Sequence, residues 1–451
     1  MIRGRVAQLE TPTGGVLFGH DVEFRGLSTD TRTLAEGELF VALRGDNFDG
    51  HEFIESARDH GAAAAVCERI VVPGLPSLVV ADTRRALGLV SRYWRRSLQP
   101  PLVAVTGSNG KTTVKEMLAS ILRIGGRTLA TRGNLNNDIG VPLTLARLSA
   151  EHRYAVIEMG ANHAGEIAWL TEIAEPDVAV VTNAGPAHLE GFGSVEGVAR
   201  AKGEVFLGLG PDAVAVINGD DAYAPVWRDF AGIRRVLEFG MHPGAAVRCR
   251  DAGTDGAMTL STPLGDCRVR LPVPGRHNRM NALAAAAAAV ALNVGLTDIG
   301  AGLERFRPVQ GRLHAGRTDV GAVLVDDTYN ANPASLAAGL AVLQDYPGEH
   351  WLVLGDMAEL GSDAGVLHAD AGRAARASGV RRLYTLGTHS EEAARAFGTG
   401  GRHFHDREEL VEALRRDLHA GVTLLVKGSR SMAMDRVCAA LGATGADGGG
   451  H

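Results

Sequence analysis

Residues 103–113 read VAVTGSNGKTT, and the order of residue types in that stretch decides the fold. A short apolar run leads into Thr106-Gly107-Ser108-Asn109-Gly110-Lys111-Thr112-Thr113, and the residues that follow have helical spacing. Strand, glycine-containing loop and helix in that order form a cradle for phosphate. The glycines let backbone N–H groups turn toward phosphate oxygens, and the helix N-terminus adds its positive dipole end. Lys111 is expected to reach the β- and γ-phosphates of ATP or a close analogue, and the Thr112 hydroxyl to hold Mg²⁺. Gly107, Ser108, Asn109, Gly110, Lys111, Thr112 and Thr113 are therefore the expected nucleotide contacts. The common form of this loop has a further glycine five residues before Gly110, where this chain has Val105, so the loop is a shortened one. The rival reading is a tight strand–helix turn that carries a lysine.

Working outward, Val114, Met117, Leu118, Ile121 and Leu122 form one apolar stripe of the helix after the loop. YAVIEMG (154–160) and DVAVVTN (177–183) are continuous apolar runs, the pattern of parallel strands covered on both faces. The alanine-rich stretch NALAAAAAAVALNV (281–294) predicts a helix packed closely on that sheet. Glu158 closes the first run, and His188 follows the second in NAGPAHLEGFG. Both then lie at the carboxyl edge of a parallel sheet, where such sheets bind ligands. Oxygen and imidazole groups at that edge can complete Mg²⁺ sites beside the phosphates. Singly, Glu158 also reads as a strand-end ion-pair residue and His188 as a turn histidine.

Upstream, residues 1–82 carry short β-like runs between Gly- and Asp-rich turns. Residues 83–98 place Leu87, Val90, Ser91 and Trp94 at helical spacing, and Gln99-Pro100-Pro101 ends that helix. Downstream of Gly311, AVLVDDT, HWLVLGD, RLYTLG and VTLLVKG alternate with helices and predict a second parallel sheet. The expected organisation is α/β in three domains. These are a small α/β domain (1–82), a central phosphate-loop parallel-sheet domain (83–310, with 83–100 as linking helix) and a Rossmann-like domain (311–451). The tail GATGADGGGH reads as disordered.

A net charge of −6 argues against a nucleic-acid or membrane-surface partner, which calls for a basic face. The longest apolar runs are too short for a membrane span, and the first ten residues lack an apolar signal segment. Four dispersed cysteines read as reduced thiols. The expected location is the cytoplasm.

Taken together, STDTR (28–32), LFVALRGDNFDGHEF (39–53), TGSNGKTTVKEM (106–117) and GNLNNDIGVPLTLARL (133–148) resemble the Mur ligase family. The resemblance continues through EMGANHAGEIAWL (158–170), AHLEGFGSVEGVARAKGE (187–204), LPVPGRHNRMNALAAAA (271–287) and GRLH (311–314). It ends with DDTYNANPASLAA (326–338), VLGDMAELG (353–361) and VKGSRSMAMD (426–435). The series is collinear over nearly the whole chain, and TGSNGKT is similar to the family's own short loop.

Within the family, the likeness is to the branch that adds D-alanyl-D-alanine to UDP-N-acetylmuramoyl-tripeptide, giving the pentapeptide precursor of peptidoglycan. It implies that a substrate carboxylate takes the γ-phosphate of ATP and that the resulting acyl phosphate is attacked by the dipeptide amine. It also implies that Thr112, Glu158, His188 and Lys202 hold Mg²⁺, with Lys202 as a carbamate. Without that modification, Lys202 reads as a phosphate or carboxylate contact. Lys111, Glu158, His188 and Lys202 are the implied catalytic set.

Asn278, Arg312 and Asp327 resemble nucleotide contacts, and Asn330 a substrate contact, although DDTYNANP alone reads as an Asx/Pro turn. Ser28, Thr29, Asn47, Phe48 and His51 resemble the UDP-sugar site, in a segment that otherwise reads as a polar loop. Asn134, Asn136 and Asn137 resemble further substrate contacts, or turn formers. The implied cofactors are ATP and Mg²⁺, and the implied form is a monomer. A sister branch that adds the third amino acid carries an Asp-Asn-Pro-Arg motif, where this chain has YNANP. A phosphate-loop switch is the remaining alternative, and it predicts no dedicated second-substrate block.

Overall fold

The run Leu102–Thr106 forms an inner strand with every residue buried, as a strand covered on both faces requires. Its alternation sorts two cores. Val103 and Val105 face Met117, Leu118 and the alanine-rich helix, whereas Leu102 and Ala104 face Ile157, Ile167, Leu170 and Phe206. In the computed structural model, residues 1–45, 48–70, 72–186, 189–253, 256–273, 275–442 and 444–445 are described, the last two by backbone alone.

Among the described residues, the central sheet has nine strands. Thr128–Ala130, Tyr154–Glu158, Leu102–Thr106, Val178–Val181, Val214–Asn218, Arg235–Gly240 and Val247–Ala252 run in that spatial order and are parallel. The antiparallel pair Ala257–Thr262 and Gly265–Arg270 extends the far edge. The phosphate-loop helix Lys111–Gly125 buries Val114, Met117, Leu118, Ile121 and Leu122, the stripe read from the sequence. Helix Arg276–Ala291 buries every residue from Ala282 to Ala291, because methyl-sized side chains let its backbone approach the sheet.

Ahead of this sheet stands a five-stranded one, in the order Val16–Phe18, Ser77–Val79, Ala64–Cys67, Leu39–Val41 and Leu27–Ser28. The linking helix Thr83–Leu98 starts at Asp82, whose carboxylate accepts the Arg85 N–H at 2.9 Å. It stops at Gln99, which has φ +48° just before two prolines. From this helix Trp94 Nε1 donates to the Leu148 carbonyl at 3.1 Å and Arg95 Nε to the Ala174 carbonyl at 3.1 Å, fastening it to the central domain.

The third sheet orders Gly401–Phe404, Arg382–Leu386, Glu349–Gly355, Val422–Lys427 and Val323–Asp327 in parallel, with His314–Arg317 antiparallel at the edge beside Thr444–Gly445. The chain is thus α/β, and among the described residues it is built on three large sheets, with two two-stranded ribbons in the N-terminal part. Cys67, Cys249, Cys267 and Cys438 are unpaired. Among the described residues, no helix is long and apolar enough to cross a membrane.

Candidate functional site

The phosphate loop is shaped by two glycines that admit no side chain. Gly107 has φ +141°, and a Cβ there would stand 2.0 Å from Thr182 Oγ1. Gly110 has φ +83°, and a Cβ would meet Asn281 Oδ1 at 2.3 Å. The neighbouring strand's exit braces the loop. Asn109 N–H donates to Asn183 Oδ1 at 2.9 Å, the Thr182 hydroxyl donates to the Asn109 carbonyl at 2.6 Å, and Ser108 N–H donates to the Asn183 carbonyl at 3.0 Å. Val105 belongs to the strand, so the shortened loop begins only at Gly107.

The loop opens into a cleft of about 640 Å³ between the carboxyl edge of the central sheet and the C-terminal domain. Two side chains close the gap. Arg312 Nη2 donates to Thr112 Oγ1 at 3.2 Å, and Asn332 Nδ2 donates to Asn109 Oδ1 at 3.0 Å. Asn332 is held for this because its Oδ1 accepts Ser335 N–H and so caps helix Pro333–Leu343. Arg312 is steadied on the other side by the Tyr329 ring, 3.9 Å from its guanidinium carbon.

Glu158 ends its strand facing this cleft at 1% exposure. Its Oε1 accepts Asn136 Nδ2 at 2.8 Å, while its Oε2 is buried with no hydrogen-bond partner. An orphaned carboxylate oxygen beside the Lys111 ammonium is an open position for a metal ion. The Lys111 ammonium donates to the Gly107 and Ser108 carbonyls at 2.6 and 3.2 Å. Burial lowers its pKa to about 8, with Glu158 opposing and Arg312 adding to the shift. Lys202, on helix Val195–Leu207, donates to the Ala161 carbonyl at 3.2 Å, and burial, then Lys111, lower its pKa to about 7. Crowded cations with depressed pKa values mark a site arranged for anions.

Of the residues expected from the sequence, the cleft brings together Ser108, Asn109, Gly110, Lys111 and Thr113 of the loop. Asn134, Asn136, Asn137 and Glu158 line it from the central sheet, with Asn278 from the following helix. Arg312, Asp327 and Asn330 line it from the C-terminal domain. Thr112 reaches it through Arg312. Asn137 also behaves as a turn former, since its Oδ1 accepts the Gly140 N–H at 2.9 Å. Asn330 Oδ1 accepts its neighbour's Ala331 N–H at 2.9 Å.

The N-terminal group lies apart from this lining. Phe48 is exposed, and Thr29 is half-buried. Ser28 is buried, with its hydroxyl bonded to the Asp30 carbonyl. His51, expected at the sugar site, has 1% exposure, and both its ring nitrogens are engaged. Nδ1 lies 2.6 Å from Asp49 Oδ1, and Nε2 accepts the Glu68 N–H at 2.8 Å. Its side chain braces the loop and offers no free nitrogen to a ligand. Asn47 and His188 lie outside the described residues.

The cleft residues that went unread in the sequence include His277, Tyr329, Asn332, Lys427 and Arg430. Lys427 Nζ stands 2.5 Å from Asp327 Oδ2 and 2.9 Å from the Asn330 carbonyl. The two residues are a hundred positions apart, so no local pattern announces the pair. His277 has its Nε2 buried without a partner, and burial beside Lys427 lowers its pKa to about 4.

A phosphate loop opening into a cleft that Arg312 and Asn332 close from the C-terminal side, with an orphaned carboxylate beside the loop lysine, defines the site of a nucleotide-using enzyme. Family models agree: the Mur ligase family catalytic domain matches residues 23–123, the Mur ligase middle domain 105–289, and the Mur ligase glutamate ligase domain 311–430. The chain belongs to the Mur ligase family. It is 45% identical to the UDP-N-acetylmuramoyl-tripeptide--D-alanyl-D-alanine ligase of Escherichia coli (strain K12), over 98% of this chain and 99% of that one. Among solved structures it superposes on MurF from Acinetobacter baumannii with a TM-score of 0.91 and 37% identity, covering 96% and 98% of the two chains. MurF from Thermotoga maritima, in complex with ADP, gives a TM-score of 0.82 and 29% identity over 92% and 97%.

Proposed function

We propose that this chain joins D-alanyl-D-alanine to UDP-N-acetylmuramoyl-tripeptide at the expense of ATP, through an acyl phosphate. The product is the UDP-linked pentapeptide precursor of peptidoglycan. The observation that carries the reading is one cleft shared by the phosphate loop, Glu158 and the C-terminal residues Arg312, Asp327 and Asn330, in a chain similar to such ligases from end to end. Three units divide the work: residues 1–82 receive the UDP-sugar, 83–310 hold ATP, and 311–451 present the dipeptide.

The roles follow from charge and position. Loop N–H groups and the helix dipole take up phosphate oxygens, and Lys111 leaves the loop carbonyls for the γ-phosphate. Asn278, Arg312 and Asp327 fix the nucleotide. Arg312 is already at Thr112, so the C-terminal domain is in reach of the phosphates when the tripeptide carboxylate attacks. Asn134, Asn136 and Asn137 guide the peptide, and Ser28, Thr29, Asn47 and Phe48 contact the UDP-sugar. Reaction proceeds without an enzyme nucleophile, so orientation and charge neutralisation supply the rate.

The donor set suits Mg²⁺, because the orphaned Glu158 Oε2 and the Thr112 hydroxyl are hard oxygen ligands. With His188 and a carbamylated Lys202, they would hold an ion that neutralises charge on the transferring phosphoryl group. Burial and the neighbouring Lys111 charge disfavour the Lys202 ammonium, and the neutral amine is the form that reacts with carbon dioxide, which supports the carbamate reading. We place the reaction in the cytoplasm and the enzyme as a monomer.

Phosphate release tests the reading. Rapid release from ATP is expected only when the UDP-sugar tripeptide and D-alanyl-D-alanine are both present. Comparable release with either one omitted would overturn it.

A further inference from the structure

The second substrate brings two ends to the cleft. Its amine reacts, while its terminal carboxylate does not and must be held out of bulk water. A carboxylate in such a place needs a cation, and the planar fork of arginine fits it best.

Among the described residues, four lysine and arginine side chains line the cleft: Lys111, Arg312, Lys427 and Arg430. Three are committed. Lys111 sits on the phosphate loop, Arg312 on Thr112, and Lys427 on Asp327. Arg430 makes no ion pair among the described residues, and its guanidinium carbon stands 5.5 Å from the Tyr329 ring. Tyr329 thus carries two guanidinium groups, of which only Arg312 is bonded to the phosphate loop.

The backbone beneath Arg430 is pinned although its side chain is exposed. Ser429 N–H donates to the Asp356 carbonyl at 3.0 Å, and Ser429 Oγ accepts the Ala358 N–H at 2.8 Å. The turn Arg430–Met432 then projects the side chain from the carboxyl end of strand Val422–Lys427.

We propose that Arg430 is the receptor for the terminal carboxylate of the incoming dipeptide, and therefore the residue by which the site demands an acceptor with a free C-terminus. The inference rests on the ligase reading above. It makes Arg430 a specificity residue that acts on the acceptor and leaves ATP alone.

The test crosses enzyme with substrate. Wild-type, Arg430→Ala and Arg430→Lys proteins are assayed with D-alanyl-D-alanine and with its C-terminal amide, at saturating ATP and UDP-sugar tripeptide. Wild type should favour the acid on the order of 10- to 100-fold in kcat/KM, the usual worth of a charge-assisted contact. Arg430→Ala should lose that preference, by falling on the acid and leaving the amide and the KM for ATP within about 3-fold, and Arg430→Lys should fall between. The inference is overturned if wild type does not distinguish the two acceptors. It is also overturned if Arg430→Ala keeps the preference, loses both acceptors equally, or raises the KM for ATP. Wild type that ligates neither acceptor overturns the ligase reading itself, and this inference with it. ADP affinity of each variant reports that the cleft is intact.

Discussion

Replacing Lys427 by Met should unfold the C-terminal domain more easily and do so in a pH-dependent way. Lys427 and Asp327 are 2% and 11% exposed, and Nζ is 2.5 Å from the carboxylate. Burial raises the Asp327 pKa, with Lys427 working against that rise. Breaking a buried pair from one side costs about 3–5 kcal/mol. The structure caps the loss, because an abandoned carboxyl can take a proton. From an ordinary pKa near 3.9 to pH 7, that protonation costs about 4 kcal/mol. The sign follows from linkage. In Lys427→Met the folded pKa of Asp327 lies above its unfolded value, so the folded state binds the extra proton and gains stability as pH falls. Each unit of acidification should return about 1.4 kcal/mol, so roughly 2–3 kcal/mol of the loss is recovered between pH 7 and pH 5. Asp327→Asn/Lys427→Met should lie within about 2 kcal/mol of wild type and lack the pH term. The measurement is denaturant-dependent hydrogen exchange in strand Val422–Lys427, which isolates this domain from the other two. A Lys427→Met loss below about 1 kcal/mol, or one equally large at both pH values and in the double variant, would refute the reasoning.

Three further outcomes are expected. ATP phosphates should restore the depressed Lys111 pKa, so binding at pH 8 should take up about half a proton, read by calorimetry in buffers of different ionisation enthalpy; Lys111→Met should remove that uptake and turnover while leaving the fold. Lys202→Ala should lose about 100-fold in activity and recover part of it with short-chain carboxylic acids; no recovery would favour an unmodified lysine. Gly107→Ala places a methyl group 2.0 Å from Thr182 Oγ1, so equilibrium dialysis should show ATP affinity down by at least about tenfold, at a stability cost of ~1–3 kcal/mol; unchanged affinity would show that the loop can shift freely.

The parallel strands were legible because burial on both faces writes them as apolar runs, as in Tyr154–Glu158 and Val178–Val181. Gly401–Phe404 was not, because only Phe404 is buried, and GRHF has neither an apolar run nor a clean alternation. The hairpin Ala257–Arg270 was also missed: its second strand, GDCRVR, buries Val269 alone and reads as a polar loop. The phosphate loop carries its geometry in residue type, since Gly107 and Gly110 are the only side-chain choices that fit. His51 shows the reverse. Its segment alone reads as a polar loop, the family resemblance makes it a contact of the UDP-sugar, and only the fold shows Asp49 and Glu68 consuming both its nitrogens.

What decides whether a site residue can be read is therefore whether its partner is local. Glu158 was found from its place at the end of an apolar run, a property of neighbours in sequence. Arg312 and Asn332 reach the loop across 200 and 223 positions; Arg312 was read only through the family's GRLH, and Asn332 was not read as a site residue at all. Asn332 looked like the end of an Asx/Pro turn, and it is a helix cap. That cap is what fixes its other amide edge toward Asn109, so the local and the long-range roles belong to one side chain. Arg430 is harder still, because its signal is a missing counter-charge that exists only once Lys427 has taken Asp327 and Arg312 has taken Thr112. Specificity for the acceptor is on this account a remainder: the cation left over after fold and nucleotide have claimed theirs.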